Sequence, residues 1–416
     1  MSSATTIAEA TPMVISPVVF PVLVRAIVVH TKAHLDELVA AVLLLLFGEK
    51  LFPGISTVGV EFWDRIPDGE TLSSLENKGY LLIGFAGSRY DEHPDLATGK
   101  ARVKKQSAAS LVANDLGVAH LPALQRVLRF TTSRDLGLAG HFEFSRIIKD
   151  MNYLGRTKLT VFQWMYRGFL ALYNKGDEFF AGGVKADAGP EWAAVVNQWV
   201  VVRRDDPAAK LGSYTEADPG LKKIFRFTAE RLPKPYGTAF EVHAMFTAVQ
   251  EMVGKDAAID WAFEALDALY ERDVECHRLL PEVKKTQENY FSHKGKKVTV
   301  YVGLSDSPYF VEVALFDLQA GVVIQKNHKG NASVRTNKKL SLDLSGVAKA
   351  LRTKEFQLRG EAIPQNSGIL LEEGTLAGWH FFPTGKMVLN GSLSHYAPPT
   401  KLSLGMIMQM VCSEVK

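Results

Sequence analysis

Cysteine is scarce in this chain: Cys276 and Cys412 are the only two in 416 residues, far apart and with no second thiol near either. That excludes a disulfide framework and a thiolate zinc site, and it favours a reducing compartment. An excess of one charge is also lacking, since 48 Lys and Arg face 45 Asp and Glu for a net +3. Such a balance permits an anionic partner but falls far short of the basic stripe of a dedicated nucleic-acid binder. Uninterrupted apolar runs are missing too. The stretch from Met13 to Val29 is broken by Pro17, Pro21 and Arg25, whereas a bilayer-spanning helix needs ~20 apolar residues in a row. It reads as a polar leader entering a buried strand, so a cytoplasmic protein with no membrane partner is expected. Internal repeats and low-complexity tracts are absent.

What the chain does have is apolar material for large cores, 47% of its residues against 22% charged. Its length exceeds one ordinary core, and two domains are expected. Residues 22–29 (VLVRAIVV) form a β-branched run suited to the middle of a parallel sheet. His30 closes that run, and Leu35, Leu38, Val39, Val42, Leu43 and Leu46 then follow at helical spacing up to Gly48. Further strands are expected at Val58–Phe62 and Tyr80–Phe85, with helices at 107–116 and 121–130. This alternation predicts an α/β fold with a doubly wound, mostly parallel sheet. From about 155 to 290 the pattern turns to long helical segments, a helical extension of the first domain. Strands expected at 297–303, 309–317 and 321–325 open a second, smaller α/β domain over 296–416. The aromatics Trp164, Tyr166, Phe169 and Tyr173 recur at helical spacing and are read as core.

The chemistry concentrates in His30-Thr31-Lys32-Ala33-His34-Leu35-Asp36-Glu37, at the junction of the first strand and the first helix. Open α/β sheets bind ligands at the carboxyl ends of their strands. Imidazoles combined with carboxylates suit Mn²⁺, Zn²⁺ or Fe²⁺ better than Mg²⁺ or Ca²⁺. Taken alone, the segment also fits a helix start in which His34 and Asp36 merely satisfy the first turn. Later segments repeat the theme: Asp91, Glu92 and His93 lie in 84–95 (GFAGSRYDEHPD), and Asp135 lies in 131–137 (TTSRDLG).

The spacing His-x3-His-x-Asp resembles the first motif of the DHH-type phosphoesterase group, closest to its MYG1-like branch of metal-dependent exonucleases. HLDE at 34–37, YDEH at 90–93, KKQSAAS at 104–110 and SRDLG at 133–137 follow the order of that family's motifs. Segments 359–382 and 391–396 resemble its end more weakly. The resemblance implies His30, His34 and Asp36 as metal ligands, Asp91 and His93 as the outer residues of the DHH triplet with a catalytic role, and Asp135 as the last ligand. It implies one or two divalent ions, Mn²⁺ first, and a phosphate-ester substrate such as RNA or a nucleotide. Lys104, Lys105 and Arg134 become candidate phosphate contacts, and His395 a substrate contact from a closing second domain; a homo-oligomer is left open.

Two departures matter. The first His of the triplet is Glu92, which retains an oxygen for metal. The strand-end Asp that bridges the two ions is Gly84, and Glu92 or Asp64 is the candidate replacement. A two-metal site lowers the pKa of a bound water and holds phosphate oxygens in line. Two functions from different classes follow: a metal-dependent phosphodiesterase, or a degenerate module that binds a nucleotide or RNA without turnover.

Overall fold

The computed structural model describes residues 23–85, 87–93, 106–135, 144–181, 188–205, 242–382, 386–391 and 397–415. The first unit begins with β1 (Ala26–His30), whose five residues are all buried. It runs parallel to β2 (Gly59–Trp63) on one side and to β3 (Tyr80–Leu82) on the other, giving the order β2-β1-β3. A central strand covered on both faces explains the unbroken Ile27-Val28-Val29 run. Between β1 and β2 lies α1 (Leu35–Phe47), and α2 (Leu72–Asn77) precedes β3. Every residue of α1 from Leu35 to Leu44 is buried. The helix is therefore packed all round, and this includes the two acidic side chains of its first turn.

The helices that follow are α3 (Ala108–Asp115), α4 (Pro122–Asp135), α5 (Phe144–Tyr153), α6 (Lys158–Ala181), α7 (Ala188–Asp205), α8 (Val242–Val253) and α9 (Lys255–Lys284). They share one apolar core with β1 and α1. Trp164 and Trp261 stack with centroids 4.9 Å apart, and each indole N–H donates to the other's backbone carbonyl at 2.8 and 3.0 Å. The aromatic spacing of α6 thus serves the core, Trp164 and Phe169 both being buried.

A seven-stranded mixed sheet builds the second unit from β4 (Gln287–His293), β5 (Lys296–Leu304), β6 (Val322–Lys326), β7 (Ala332–Thr336), β8 (Gly374–Leu376), β9 (Trp379–Phe382) and β10 (Met387–Asn390). Its order is β4-β5-β6-β7-β10-β9-β8, and only β5 and β6 pair in parallel. The helices α10 (Ser345–Arg359) and α11 (Leu404–Glu414) cover this sheet and share its core. The fold is mixed α/β, and the parallel sheet of the first unit has three strands among the described residues. One expected strand is corrected: 309–317 forms the helical turns Phe310–Glu312 and Val313–Asp317. The run YFVEVALFD is apolar without a period that separates strand from helix. Burial of Tyr309, Phe310, Val311 and Val313 against Leu279 and Val283 of α9 decides it.

Those turns also join the two units. Glu312 pairs with Arg146 and, at 3.1 Å, with Lys149, both on α5. Beneath them the fully buried Asp150 accepts from Arg272 of α9 at 3.3 Å and from the Tyr309 hydroxyl at 3.4 Å. Burial lifts the Asp150 carboxyl to about 6 against the pull of Arg272 and Arg146. From the last turn of α5, the Asn152 amide donates to the Ala33 carbonyl at 3.3 Å, inside the segment that precedes α1. A helix at the inter-unit junction thereby also braces the His30–Asp36 loop.

Candidate metal centre

The carboxyl end of β1 sets the site. His30 is its last residue, buried, stacked on Phe85 at 4.2 Å, with Nδ1 2.8 Å from Glu37 Oε1. The chain turns through Thr31–Ala33, and His34 in extended conformation starts α1. Asp36 and Glu37 follow on the first turn, where the helix N-terminus favours negative charge. His34 is exposed to solvent although protein surrounds it closely enough to lower its pKa by desolvation.

The second segment arrives from β3. Ile83 bridges to Tyr90, and the Gly84 N–H donates to the Tyr90 carbonyl at 3.0 Å, closing a tight loop. Asp91 organises that loop, accepting from Gly87 N at 2.9 Å, His93 N at 3.2 Å and His93 Nδ1 at 3.1 Å. Tyr90 anchors it by donating to Asp115 at 2.5 Å. Asp135 comes from the end of α4. The structure brings one oxygen each of Asp36, Glu92 and Asp135 within 4.8 Å of one another, and likewise ligand atoms of Asp91, Glu92 and His93. Glu92 belongs to both groups. It is wholly buried, and neither of its carboxylate oxygens has a hydrogen-bond partner; His93 Nδ1 lies 3.2 Å from Oε1 without hydrogen-bond geometry.

Electrostatics follow from this crowding. Burial lifts the Asp36 carboxyl well above the usual carboxylate range, and Asp135, Glu92 and Glu37 push it further. Burial also takes Glu92 up to about 7, with His93 opposing and Asp135 reinforcing the rise. For His93 burial acts downward, but the Asp91 hydrogen bond and the charges of Glu92 and Asp135 prevail and raise it to about 9. Glu37 moves the other way: burial would raise it, and His30 and His34 hold it below its ordinary value. Two adjacent buried carboxyls, Asp36 and Glu92, that resist ionisation are short of positive charge.

Asp64 stands apart, exposed just after β2, where its charge acts on Lys32. It belongs to neither ligand group, and neither do the expected ligands His30 and His34. Lys104, Lys105 and His395 lie outside the described residues, as does the side chain of Arg134. Two residues without an assigned role in the sequence reading enter the site. Glu37 was visible as the last letter of HLDE, but nothing in the spacing turns it toward Gly84. His380 of β9 meets His93 across the junction of the two units, ring centroids 6.2 Å apart, with Nδ1 2.8 Å from Thr375 Oγ1. A distant strand delivers it, so no local pattern marks it.

No family model and no curated protein matches the chain. Among solved structures it is similar to an uncharacterized protein from Helicobacter pylori G27, at 10% identity with 94% of this chain and 99% of that chain covered. The TM-score of that likeness is 0.21, and it carries no argument about fold or function.

Proposed function

We propose that the chain is a metal-dependent phosphoesterase of DHH-like design that hydrolyses a phosphodiester, as an exonuclease on RNA or as a nucleotide hydrolase. The observation that carries this reading is Glu92: a fully buried carboxylate, both oxygens without a hydrogen-bond partner, set between Asp36, Asp135, Asp91 and His93. Burying such a group unpaired is costly, and a divalent cation removes that cost. The donor set of imidazole and carboxylate suits Mn²⁺, Zn²⁺ or Fe²⁺. Asp36, Glu92 and Asp135 would hold the metal beside the adjoining Asp91–His93 group, and when bound it supplies an acidified water and charge stabilisation.

The remaining groups then have distinct tasks. Asp91 holds the His93 ring through Nδ1, leaving the imidazole placed to donate to a phosphate oxygen or to the leaving group. His34, exposed to solvent at the start of α1, marks the side from which a substrate would approach.

Metal analysis tests the reading. Wild-type protein loaded with Mn²⁺ and dialysed is expected to retain one or two equivalents and to cleave a generic phosphodiester. Asp36→Ala is expected to lose the metal while its circular dichroism stays unchanged. Equal metal content in the two proteins removes Asp36 from the ligand set, and no metal in the wild type ends the hydrolase reading.

A further inference from the structure

Lys32 occupies the turn between β1 and α1, two residues from His30 and two from His34, and two residues of chain span at most ~7 Å. It is half-buried, and its Nζ lies 5.8 Å from the centroid of the Tyr153 ring at the end of α5. That ring leads to the second unit. Tyr153 meets Tyr309 edge-on with centroids 5.7 Å apart, and the Tyr309 N–H donates to Ser307 Oγ at 3.3 Å. The neighbouring Asp306 accepts from the His328 N–H at 2.9 Å and lies 2.7 Å from His328 Nδ1. His328 belongs to the turn between β6 and β7, closed by the Gly330 N–H donating to the Asn327 carbonyl at 3.0 Å. Lys329 follows it in that turn, exposed, and its charge reaches Lys32 across the junction.

Among the described residues neither ammonium group makes an ion pair or a side-chain hydrogen bond. The charges around them are already engaged. Lys149, 5.1 Å from the same Tyr153 ring, pairs with Glu312 at 3.1 Å, and His328 takes up Asp306. Burial holds the Lys32 ammonium below its ordinary value, Asp64 opposes that fall from beyond ion-pair reach, and Lys329 deepens it. Two like charges held near each other in this way attract an anion. We propose that Lys32 and Lys329 together bind a phosphate group of the substrate across the junction of the two units, beside the metal centre. This deepens the phosphoesterase reading and rests on it, because it names the substrate class: a compound with a second phosphate beyond the one cleaved. Lysine binds phosphate as a point charge, and ligand sites favour the places where domains meet. Each unit supplies one of the two cations, so neither holds the anion alone.

Titration calorimetry with inorganic pyrophosphate, in chelator so that no metal takes part, tests the pair in full-length protein. The wild type is compared with Lys32→Gln, Lys329→Gln and Lys296→Gln, the last of which removes the same charge from the opposite end of β5. Lys32→Gln and Lys329→Gln are each expected to bind at least tenfold more weakly than the wild type with unchanged circular dichroism, and Lys296→Gln to stay within twofold. No binding by the wild type, or a loss at either lysine of the pair no larger than at Lys296, overturns the proposal. A second measurement ties the anion to the substrate. With Mn²⁺ present, KM for a trinucleotide, which carries two phosphates, is expected to rise at least tenfold more in Lys329→Gln than KM for bis(p-nitrophenyl) phosphate, which carries one. Equal rises overturn the assignment of a second phosphate. A wild type that binds no Mn²⁺ and cleaves neither compound ends the phosphoesterase reading instead, while the pyrophosphate titration still decides whether the two lysines hold an anion.

Discussion

Replacing Glu92 by Gln removes one charge from the centre with little change of shape, and the structure fixes the sign of the result. In the folded protein burial lifts this carboxyl from its ordinary 4.5 to about 7. Between those two pH values the unfolded chain has already released a proton that the folded chain retains. Stability of the metal-free protein therefore falls as pH rises from about 4.5 to about 7, and is flat above. The amplitude is at most ~3 kcal/mol by proton linkage. Glutamine does not titrate and leaves about as many polar atoms to satisfy as the protonated acid. Glu92→Gln is thus expected to match the wild type near pH 4.5 and to exceed it in stability at pH 8, in chelator, by up to ~3 kcal/mol. For a chain of this size that is roughly 3–4 °C in Tm. With Mn²⁺ at ~1,000 times Kd the order reverses, because the wild type gains ~4.1 kcal/mol from ligand binding and the variant loses a ligand. Urea unfolding at pH 4.5 and pH 8, with chelator and with Mn²⁺, reads all four corners. A variant no more stable than the wild type at pH 8 in chelator would refute the claim that burial of Glu92 outweighs the neighbouring charge of His93.

Arg272→Met leaves Asp150 buried beside Glu312 without its cation on α9, so a loss of ~3–5 kcal/mol is expected in urea unfolding; a change under 1 kcal/mol would mean that Arg146 and Lys149 suffice. His380→Gln breaks the ring contact with His93 and the bond to Thr375. Mn²⁺ content should stay within error of the wild type while phosphodiester turnover drops at least tenfold, and equal turnover would remove His380 from the site.

Much of the first unit is fixed locally. The β-branched Ile27-Val28-Val29 run suits a strand covered on both faces, and β1 lies between β2 and β3. The helical spacing after His34 places Asp36 and Glu37 on the first turn of α1, directly after the strand that ends in His30. The acidic and imidazole groups of 91–93 and Asp135 are likewise visible along the chain as residue types that can cluster. Run YFVEVALFD shows the limit: its apolar residues fit a strand or a helix equally, and packing against α9 selects helical turns. What only the tertiary structure decides is contact between elements distant in sequence. Glu92, Asp36 and Asp135 meet because the β3 loop, α1 and α4 converge, and burial is what raises the proton affinities of Asp36 and Glu92. Asp64 has the right chemistry at a strand end and still faces solvent. Glu37 turns into the space beside Gly84, and His380 reaches His93 from a strand nearly three hundred residues later. Sequence specifies which groups a short segment presents and on which face, since that depends on backbone period alone. Which of those faces share a cavity, and hence which charges need a cation, depends on long-range packing.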